Sequence, residues 1–507
     1  MPEELRRPLQ DAHQDDIDVS PELFAEADLL STPEAGPAAV RGGAVRISSF
    51  LAGSLISVGT AALLFRHLGV VNTGRYTTAL SLSAVVTGFT DLGLTAIGIR
   101  ELAVLHGPER TRLARNLLGL RIVLTVIGVI LISTFAFLAY GNLLGFGVLI
   151  AGAGVLVQNV QTTLAVPLMS GLRLGWVSAL DFARLALTAG GVVVLVLAGA
   201  HLLPFLATPG VAAAIVVPVT AVLVRDMIPL SASFDISQWR TLLGPVLTYS
   251  AAVAASTLYF RVAIVIVSLV AGAEQLGYFS ISFRVVEVLF TIPGLLVGAA
   301  FPIFARAARD DPERLGYALS RVFEVSLMVG VWIALSIAVG AHLAIQVIGG
   351  SHFLPATPVL AVQGIAVGAT FVSTVFGYGM LSLHLHRLIL MFNLAMLALV
   401  AVVVAILTSV DGAQGAAIGT ASVEVVAAVG NGLLLVRGRP HLAPRLRAVP
   451  RVAVAALLGA TPALAVGLPV VVRVFLSTAI YAVVLLALRA PPRELLALVP
   501  ARFGGRR

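Results

Sequence analysis

The sequence predicts an all-α polytopic membrane protein with about 14 transmembrane helices. Of its 507 residues, 59% are hydrophobic and only 11% are charged, and the mean hydropathy is +1.01. Soluble proteins have about 45–50% apolar and about 25% charged residues, so this chain lacks the charge to cover a water-facing surface. Long apolar runs recur through the chain, and its basic residues concentrate in alternate loops between them.

Residues 1–44 come first and differ from everything that follows. They contain ten acidic residues, three arginines and no apolar run. Such a composition is typical of a disordered tail, which the topology below places in the cytoplasm. The tail is not a secretory signal peptide, because a basic first segment is missing and the first long apolar stretch starts near Ile47.

Fourteen apolar runs follow the tail, each of roughly 17–29 residues and so long enough to cross about 30 Å of hydrocarbon. We number them as spans 1 to 14. They cover residues 46–65, 76–99, 117–140, 145–169, 178–199, 202–224, 242–270, 277–303, 320–348, 355–382, 388–409, 412–436, 451–467 and 469–488.

The arginines give the orientation of these spans. The tail, the loops after even-numbered spans and the C-terminus hold 25 arginines, whereas the opposite loops hold only Arg66 and Arg75. By the positive-inside rule both termini are cytoplasmic. This distribution explains the net charge of +8 as a topology signal, so no nucleic-acid partner is expected.

A faint repeat divides the spans. Residues 67–76 resemble residues 270–279, with Gly74 aligned on Gly277 at an offset of 203 positions. Two parallel repeats of six spans are related by an axis along the membrane normal, and a transporter cavity lies between such halves.

Five regions follow from this division. The acidic tail occupies 1–44, and residues 491–507 form a basic cytoplasmic C-terminus. Between them we predict an N-terminal lobe (45–241, spans 1–6), a C-terminal lobe (242–440, spans 7–12) and two further helices (441–490, spans 13 and 14).

Three charged residues lie deep in adjacent spans. Arg261 is in span 7, and Arg284 and Glu287 lie three positions apart on one face of span 8. Each costs roughly 2.5–3.5 kcal/mol at the bilayer centre, so they must face protein or water. Two interpretations stay open: a structural ion pair between Arg284 and Glu287, or a cavity whose guanidinium groups bind phosphate. Arg261 has no acidic residue within a turn, which favours the cavity.

Three other charged residues are candidates for a gate or for ion coupling. Asp91 lies near the end of span 2, and Arg100 follows it at the cytoplasmic edge. Packing at a helix end or a gate suits this pair better than proton coupling. Glu424, among small residues in span 12, is the better proton carrier.

The sequence offers no catalytic site. It contains no Walker A motif and no nucleophile elbow, so we expect no enzyme, no catalytic residue and no cofactor. The absence of cysteine excludes disulfides and thiolate metal sites. His384 and His386 lack further ligands at metal-binding spacing, so no metal is expected.

Several degenerate motifs, in their order and spacing, resemble bacterial polysaccharide flippases of the MOP superfamily, which also contains multidrug extruders and lipid II flippases. The resemblance covers about residues 45–490. It rests on Gly74-Arg-Tyr76, Asp91-Leu-Gly-Leu94, Phe283-Arg-x-x-Glu287, Phe301-Pro-x-x-Ala-Arg306 and the opening of span 12 at Asp411-Gly-Ala-Gln-Gly415.

The resemblance implies two six-helix lobes around a central cationic cavity that opens alternately to each side of the bacterial cytoplasmic membrane. It implies a flippase for a polyprenyl-pyrophosphate-linked oligosaccharide used in cell-surface polysaccharide biosynthesis. Membrane lipids and a glycan polymerase or glycosyltransferases of the same pathway would be its partners. Arg284 matches a cavity arginine of the lipid II branch, and Arg261 matches the family's arginine in span 7.

Other functions remain as alternatives. A cation-coupled exporter of drugs or small metabolites is the first of them, although spans 1 and 7 lack the acidic residue that the extruders commonly use there. A membrane glycosyltransferase or polymerase would need catalytic residues on long outer loops, which this chain lacks. A scaffold that binds partners through the acidic tail is the third.

Overall fold

The computed structural model of the chain describes residues 35–91, 93–171, 173–237, 239, 247–465 and 467–491. These belong to two compact units, Met1–Leu55 and Ile56–Arg507, and all candidate functional residues lie in the second. The predicted basic C-terminus lies outside the described residues apart from its first position, and most of the predicted acidic tail lies outside them too.

The described residues form fourteen α-helices and three short 3-10 segments. No β-strand occurs among them, so the predicted all-α class is confirmed. In chain order the helices are α1 (Ala35–Asp91), α2 (Leu94–Val104), α3 (Gly107–Tyr140), α4 (Asn142–Ser170), α5 (Leu174–Leu197), α6 (Leu202–Val224), α7 (Leu247–Val270), α8 (Gly272–Leu289), α9 (Thr291–Asp310), α10 (Pro312–Gly349), α11 (Thr357–Ser382), α12 (His386–Val436), α13 (Ala448–Gly459) and α14 (Val470–Ala487). The 3-10 segments are Ser351–Ala356, Pro440–Leu442 and Thr461–Leu464.

Ten helical segments of the described chain are long and apolar enough to cross a membrane. Two of them, Gly53–Val104 and His386–Val436, each contain two predicted spans. Two shorter apolar segments, Arg261–Val270 and Ala448–Leu464, account for the remaining spans. All fourteen predicted spans therefore correspond to helices, and the chain is a multi-pass membrane protein.

Glycines in the left-handed region join two pairs of predicted spans into single long elements. Gly69 has φ 69° within α1, and Gly412 has φ 50° beside Asp411 within α12. Glycine adopts this conformation without steric cost, so the chain changes direction between spans with almost no loop.

Two predicted boundaries differ from the structure. α1 begins at Ala35, inside the predicted tail of residues 1–44. Pro37 lies in its first turn, where proline is tolerated, and alanines follow it. α13 ends at Gly459, although span 13 is predicted to reach residue 467, because Pro462 lies in a 3-10 segment that interrupts the helix.

The most extensive packing lies within two groups of helices. α4 packs on α3 and α6 in the first group, while α11 packs on α10 and α12 in the second, and α13 and α14 pack on α10. We call residues 56–237 the first half of the molecule and residues 247–436 the second half.

The two halves meet through a reciprocal backbone contact of two glycines. A Cβ added to Gly74 would collide with the carbonyl oxygen of Ala273, and a Cβ added to Gly277 would collide with that of Val70. Val70 and Ala273 are themselves 203 positions apart, like the two glycines. The sequence repeat thus corresponds to an approximate twofold relation between the halves, and only glycine allows the backbones to approach so closely.

Candidate functional site

A cavity of about 290 Å³ lies between α1, α5 and α6 of the first half and α7 and α8 of the second. Its charged lining residues are Arg184, Arg261, Arg284 and Glu287. Three guanidinium groups and one carboxylate give this lining an excess of two positive charges. The cavity is therefore a cationic site to which both halves contribute.

The lining follows the approximate twofold relation. Four lining residues of α1 have counterparts 203 positions later that also line the cavity. The pairs are Ala61 with Ile264, Thr77 with Ser280, Leu80 with Phe283, and Ser81 with Arg284. The cavity therefore lies on the axis that relates the halves. Its charge does not follow that symmetry, because a serine stands opposite the arginine in the last pair.

Glu287 connects the two arginines of the second half. Its Oε1 accepts a hydrogen bond from Nη2 of Arg261 at 2.9 Å, and its Oε2 accepts one from Nη1 of Arg284 at 2.7 Å. Arg284 also donates through Nη2 to the hydroxyl of Ser57 on α1. The three charged side chains remain 29–31% exposed, so they form the polar part of the cavity wall.

The structure thus brings the three predicted residues of spans 7 and 8 to one place. The two interpretations of Arg284 and Glu287 are compatible, because these residues form an ion pair that also lines a cavity. The acidic partner of Arg261 is Glu287, which lies on the neighbouring helix and 26 positions away in the chain. A search within one helical turn could not find it.

Arg184 on α5 is a cavity residue that the sequence did not single out. The sequence suggests a local pair with Asp181, and its Nη2 lies 3.6 Å from Oδ1 of that aspartate. Nε of Arg184 is buried and has no hydrogen-bond partner among the described residues. The signal that could have identified it is an arginine inside an apolar span.

Asp91 lies outside the lining of this cavity, in an ion pair with Arg121 of α3. Its Oδ1 accepts hydrogen bonds from Nη2 of Arg121 at 2.8 Å and from the hydroxyl of Thr95 at 2.6 Å. Thr95 in turn accepts one from Nη1 of Arg121 at 2.9 Å. The side chain of Arg121 is only 5% exposed. These contacts tie the end of α1 to α2 and α3.

Arg100, the other predicted gate residue, has a different partner. Its guanidinium donates to Oε1 of Glu101 at 2.9 and 2.5 Å, and its side chain is 73% exposed. The structure therefore gives Asp91 and Arg100 separate partners, the first a buried arginine on another helix and the second its neighbour in the chain.

Glu424 of α12 is buried within the second half. Its Oε1 accepts a hydrogen bond from the hydroxyl of Tyr259 at 2.7 Å, and its Oε2 accepts one from the hydroxyl of Thr370 at 3.1 Å. A cavity of about 30 Å³ adjoins it, and the buried side-chain amide of Gln363 there has no partner among the described residues. Such a space holds about one or two water molecules.

Metal-binding side chains are not clustered in the described part of the chain. No group of three or more His, Asp or Glu residues there could hold a metal ion. His384 and His386 face one another, with ring centroids 5.9 Å apart.

Comparisons with known proteins give a family and a fold. The family described as "Polysaccharide biosynthesis protein" matches residues 63–358. No curated protein matches the sequence.

The fold is similar to that of two solved transporter structures. One is described as "Lipid II flippase MurJ, inward closed conformation", with a TM-score of 0.74 and 11% identity over 88% of this chain and 98% of that chain. The other is an inward-facing multidrug resistance MATE family transporter of the MOP superfamily, with a TM-score of 0.55 and 14% identity over 77% of this chain and 95% of that chain. At these identities the likeness concerns the fold alone.

Proposed function

Because the chain belongs to the family of polysaccharide biosynthesis proteins, we propose that it is a flippase for a polyprenyl-pyrophosphate-linked oligosaccharide. The predicted family is confirmed by the matched residues, and the predicted fold class by the fold shared with MurJ. In this proposal the protein moves its substrate from the inner to the outer leaflet of a bacterial cytoplasmic membrane, with both of its termini in the cytoplasm.

The observation that carries the proposal is the cationic cavity between the halves. Arginine binds phosphate through two parallel hydrogen bonds and stays charged at any physiological pH. Arg261 and Arg284 are the substrate contacts in this cavity. They hold the pyrophosphate of the substrate, while its lipid chain stays in the bilayer and its sugars occupy the remaining polar space.

Glu287 acts as the internal counter-ion of these arginines. Its two carboxylate oxygens accept hydrogen bonds from Arg261 and Arg284. A phosphate group offers oxygens of the same charge and similar geometry, so it replaces the carboxylate on the guanidinium groups. Substrate binding is then an exchange of anions, in which two arginines never remain unpaired in the membrane.

Transport by alternating access requires the two halves to separate at one end and then at the other. The contact of Gly74 and Gly277 closes the end that the arginine distribution places outside. Arg66 adds to this closure, because its Nη2 donates to the carbonyl oxygens of Gln346 and Val347 at 3.2 and 2.5 Å. We assign this end as the outer gate, which must open to release the substrate.

Glu424 is a specific observation in favour of a second candidate function, that of a cation-coupled exporter. A buried carboxyl that is hydrogen-bonded to Tyr259 and lies beside a small cavity with room for water can take up and release a proton. In a flippase this group would couple transport to a proton gradient. In a cation-coupled exporter of drugs or metabolites it would do the same for a different substrate.

The flippase is tested by depleting the protein in cells and analysing polyprenyl-linked glycans by mass spectrometry, with the leaflet probed from outside. We expect one lipid-linked species to accumulate on the cytoplasmic side. Wild-type protein should restore its export, and the Arg284→Ala variant should not.

Arg225→Ala provides the matched control, because Arg225 is 66% exposed, pairs with its neighbour Asp226 and does not line the cavity between the halves. This variant should restore export fully. Unchanged lipid pools in depleted cells, together with altered drug tolerance that depends on Glu424, would instead establish the exporter.

A further inference from the structure

Arg184 is the charged group that the first half brings to the cavity. Among the described lining residues the others with charge, Arg261, Arg284 and Glu287, all come from α7 and α8. At the position related to Arg284 by the repeat, the first half has Ser81 instead. The first half thus supplies its positive charge from α5, which breaks the twofold relation.

The guanidinium of Arg184 is held more loosely than those of the second half. Its nearest carboxylate oxygen lies at 3.6 Å, whereas Arg261 and Arg284 have carboxylate oxygens at 2.9 and 2.7 Å. That nearest carboxylate, Asp181, is 55% exposed, and Nε of Arg184 has no partner among the described residues. A guanidinium with donors left over can turn towards a ligand at little cost in lost contacts.

The charge of the lining matches a pyrophosphate diester. Each phosphorus of such a diester carries one ionised oxygen, so the group has two negative charges. The three arginines and one glutamate of the lining leave two positive charges. A sugar linked through a single phosphate would carry only one negative charge and would leave the lining with an unbalanced positive charge.

We propose that the two phosphates are divided between the halves, with Arg184 binding one and the pair Arg261 and Arg284 binding the other. This inference rests on the proposed function. It assigns to Arg184 the selection of a pyrophosphate over a monophosphate. A pyrophosphate that is bound by both halves draws them together. Substrate binding therefore favours the conformation in which the halves are closed around the cavity.

The test uses the purified full-length chain in detergent and two diester probes, in which a geranylgeranyl chain is linked to glucose through a pyrophosphate or through a single phosphate, so that they carry two and one negative charges. Wild-type protein should bind the pyrophosphate more tightly. In Arg184→Gln its affinity should fall about tenfold, which corresponds to about 1.4 kcal/mol, while the affinity for the monophosphate changes less than about twofold. Arg284→Gln should weaken the binding of both probes.

Two further variants separate a binding role from a structural one. Arg184→Lys keeps the charge and should recover part of the preference for pyrophosphate. Arg173→Gln removes an exposed arginine beside the start of the same helix and outside the cavity lining, and it should change neither affinity. Thermal unfolding of each variant shows that it is folded.

The outcomes distinguish the two proposals. If wild-type protein prefers the pyrophosphate and Arg184→Gln keeps that preference, the division of phosphates is wrong and the flippase stands. An equal loss for both probes in Arg184→Gln also overturns the division. If wild-type protein binds neither probe, the proposed substrate class itself is wrong.

Discussion

Asp91 with Arg121 in the first half, and Glu287 with Arg261 and Arg284 in the second, combine the same chemical groups in two different surroundings. The first pair is shared with the hydroxyl of a threonine, and its arginine is 5% exposed while its aspartate is 29% exposed. The second group borders a cavity, and its side chains are about 30% exposed.

The difference separates structural from functional charge within a membrane protein. In the first half one carboxylate meets one guanidinium, so the contact is electrically balanced, and neither residue lines the cavity between the halves. In the second half one carboxylate serves two guanidinium groups, so positive charge is left over beside an open space. An unequal count of charges, together with access, is the reason for which we propose that the second group binds an anion.

The largest effect is expected from breaking the balanced pair. Arg121→Ala leaves the carboxylate of Asp91 without its ionic partner in the membrane, and we expect unfolding to become easier by about 3–5 kcal/mol. Denaturation of the purified variant measures this loss. The double variant Asp91→Leu with Arg121→Met should recover most of the stability, since no charge then stays unpaired. If Arg121→Ala were as stable as the wild-type protein, the ion pair of Asp91 and Arg121 would have no structural role.

The next effect concerns the unbalanced group. Glu287→Gln removes the internal counter-ion, so pyrophosphate no longer competes with a carboxylate. We expect about tenfold tighter binding of the pyrophosphate-linked glucose probe, a difference of about 1.4 kcal/mol, together with slower transport because release becomes limiting. Binding and transport are measured separately on the same preparation. Weaker binding in this variant would contradict the role of Glu287 as a competitor.

A third prediction concerns the contact between the halves. Gly277→Ala places a methyl group against the carbonyl of Val70, so the outer ends cannot close fully. Because the chain has no cysteine, a single Thr77→Cys in the cavity lining can be labelled with an impermeant maleimide. We expect severalfold faster labelling from outside. Gly294→Ala is the control, because no atom lies within 4 Å of the added Cβ, and it should label at the parental rate.

The smallest effect is expected from one hydrogen bond between the halves. Ser268 donates to the carbonyl of Val265 at 2.6 Å, so the hydroxyl of Tyr140 donates to Ser268 at 2.5 Å. Tyr140→Phe removes this bond, which is worth about 1 kcal/mol. The same labelling experiment should show a smaller increase than Gly277→Ala. A larger increase in labelling rate for Tyr140→Phe than for Gly277→Ala would mean that the glycine contact is not the main contact that closes the outer end.

The fold was largely predictable because hydropathy and arginine placement respond to the membrane, which acts on every residue of a span. The positions at which the helices turn or end were less predictable. Gly69 and Gly412 allow tight turns inside continuous helical stretches, and apolar runs alone do not reveal them. The length of the helix in span 13 was overestimated. The composition of the span is apolar throughout, but Pro462 lies in a 3-10 segment that interrupts the helix.

The site was predictable only where its contacts are local. Arg284 and Glu287 are three positions apart, so helical periodicity alone places them together. Glu287 also meets Arg261, and Asp91 meets Arg121, from neighbouring helices, which requires the packing angle between them. For the same reason the contacts of Glu424 and the position of Arg184 could not be read from the sequence.

Ser81, the residue related to Arg284 by the repeat, affects the orientation in which a substrate lies in the cavity. A cavity with true twofold symmetry would accept an elongated guest in two equivalent orientations. Here Ser81 and Arg284 stand at related positions, so the two orientations differ in energy. For the substrate that we propose, the lipid-linked molecule would therefore lie in one orientation, with its lipid chain leaving through one seam between the halves. The protein thereby has a front and a back within the plane of the membrane.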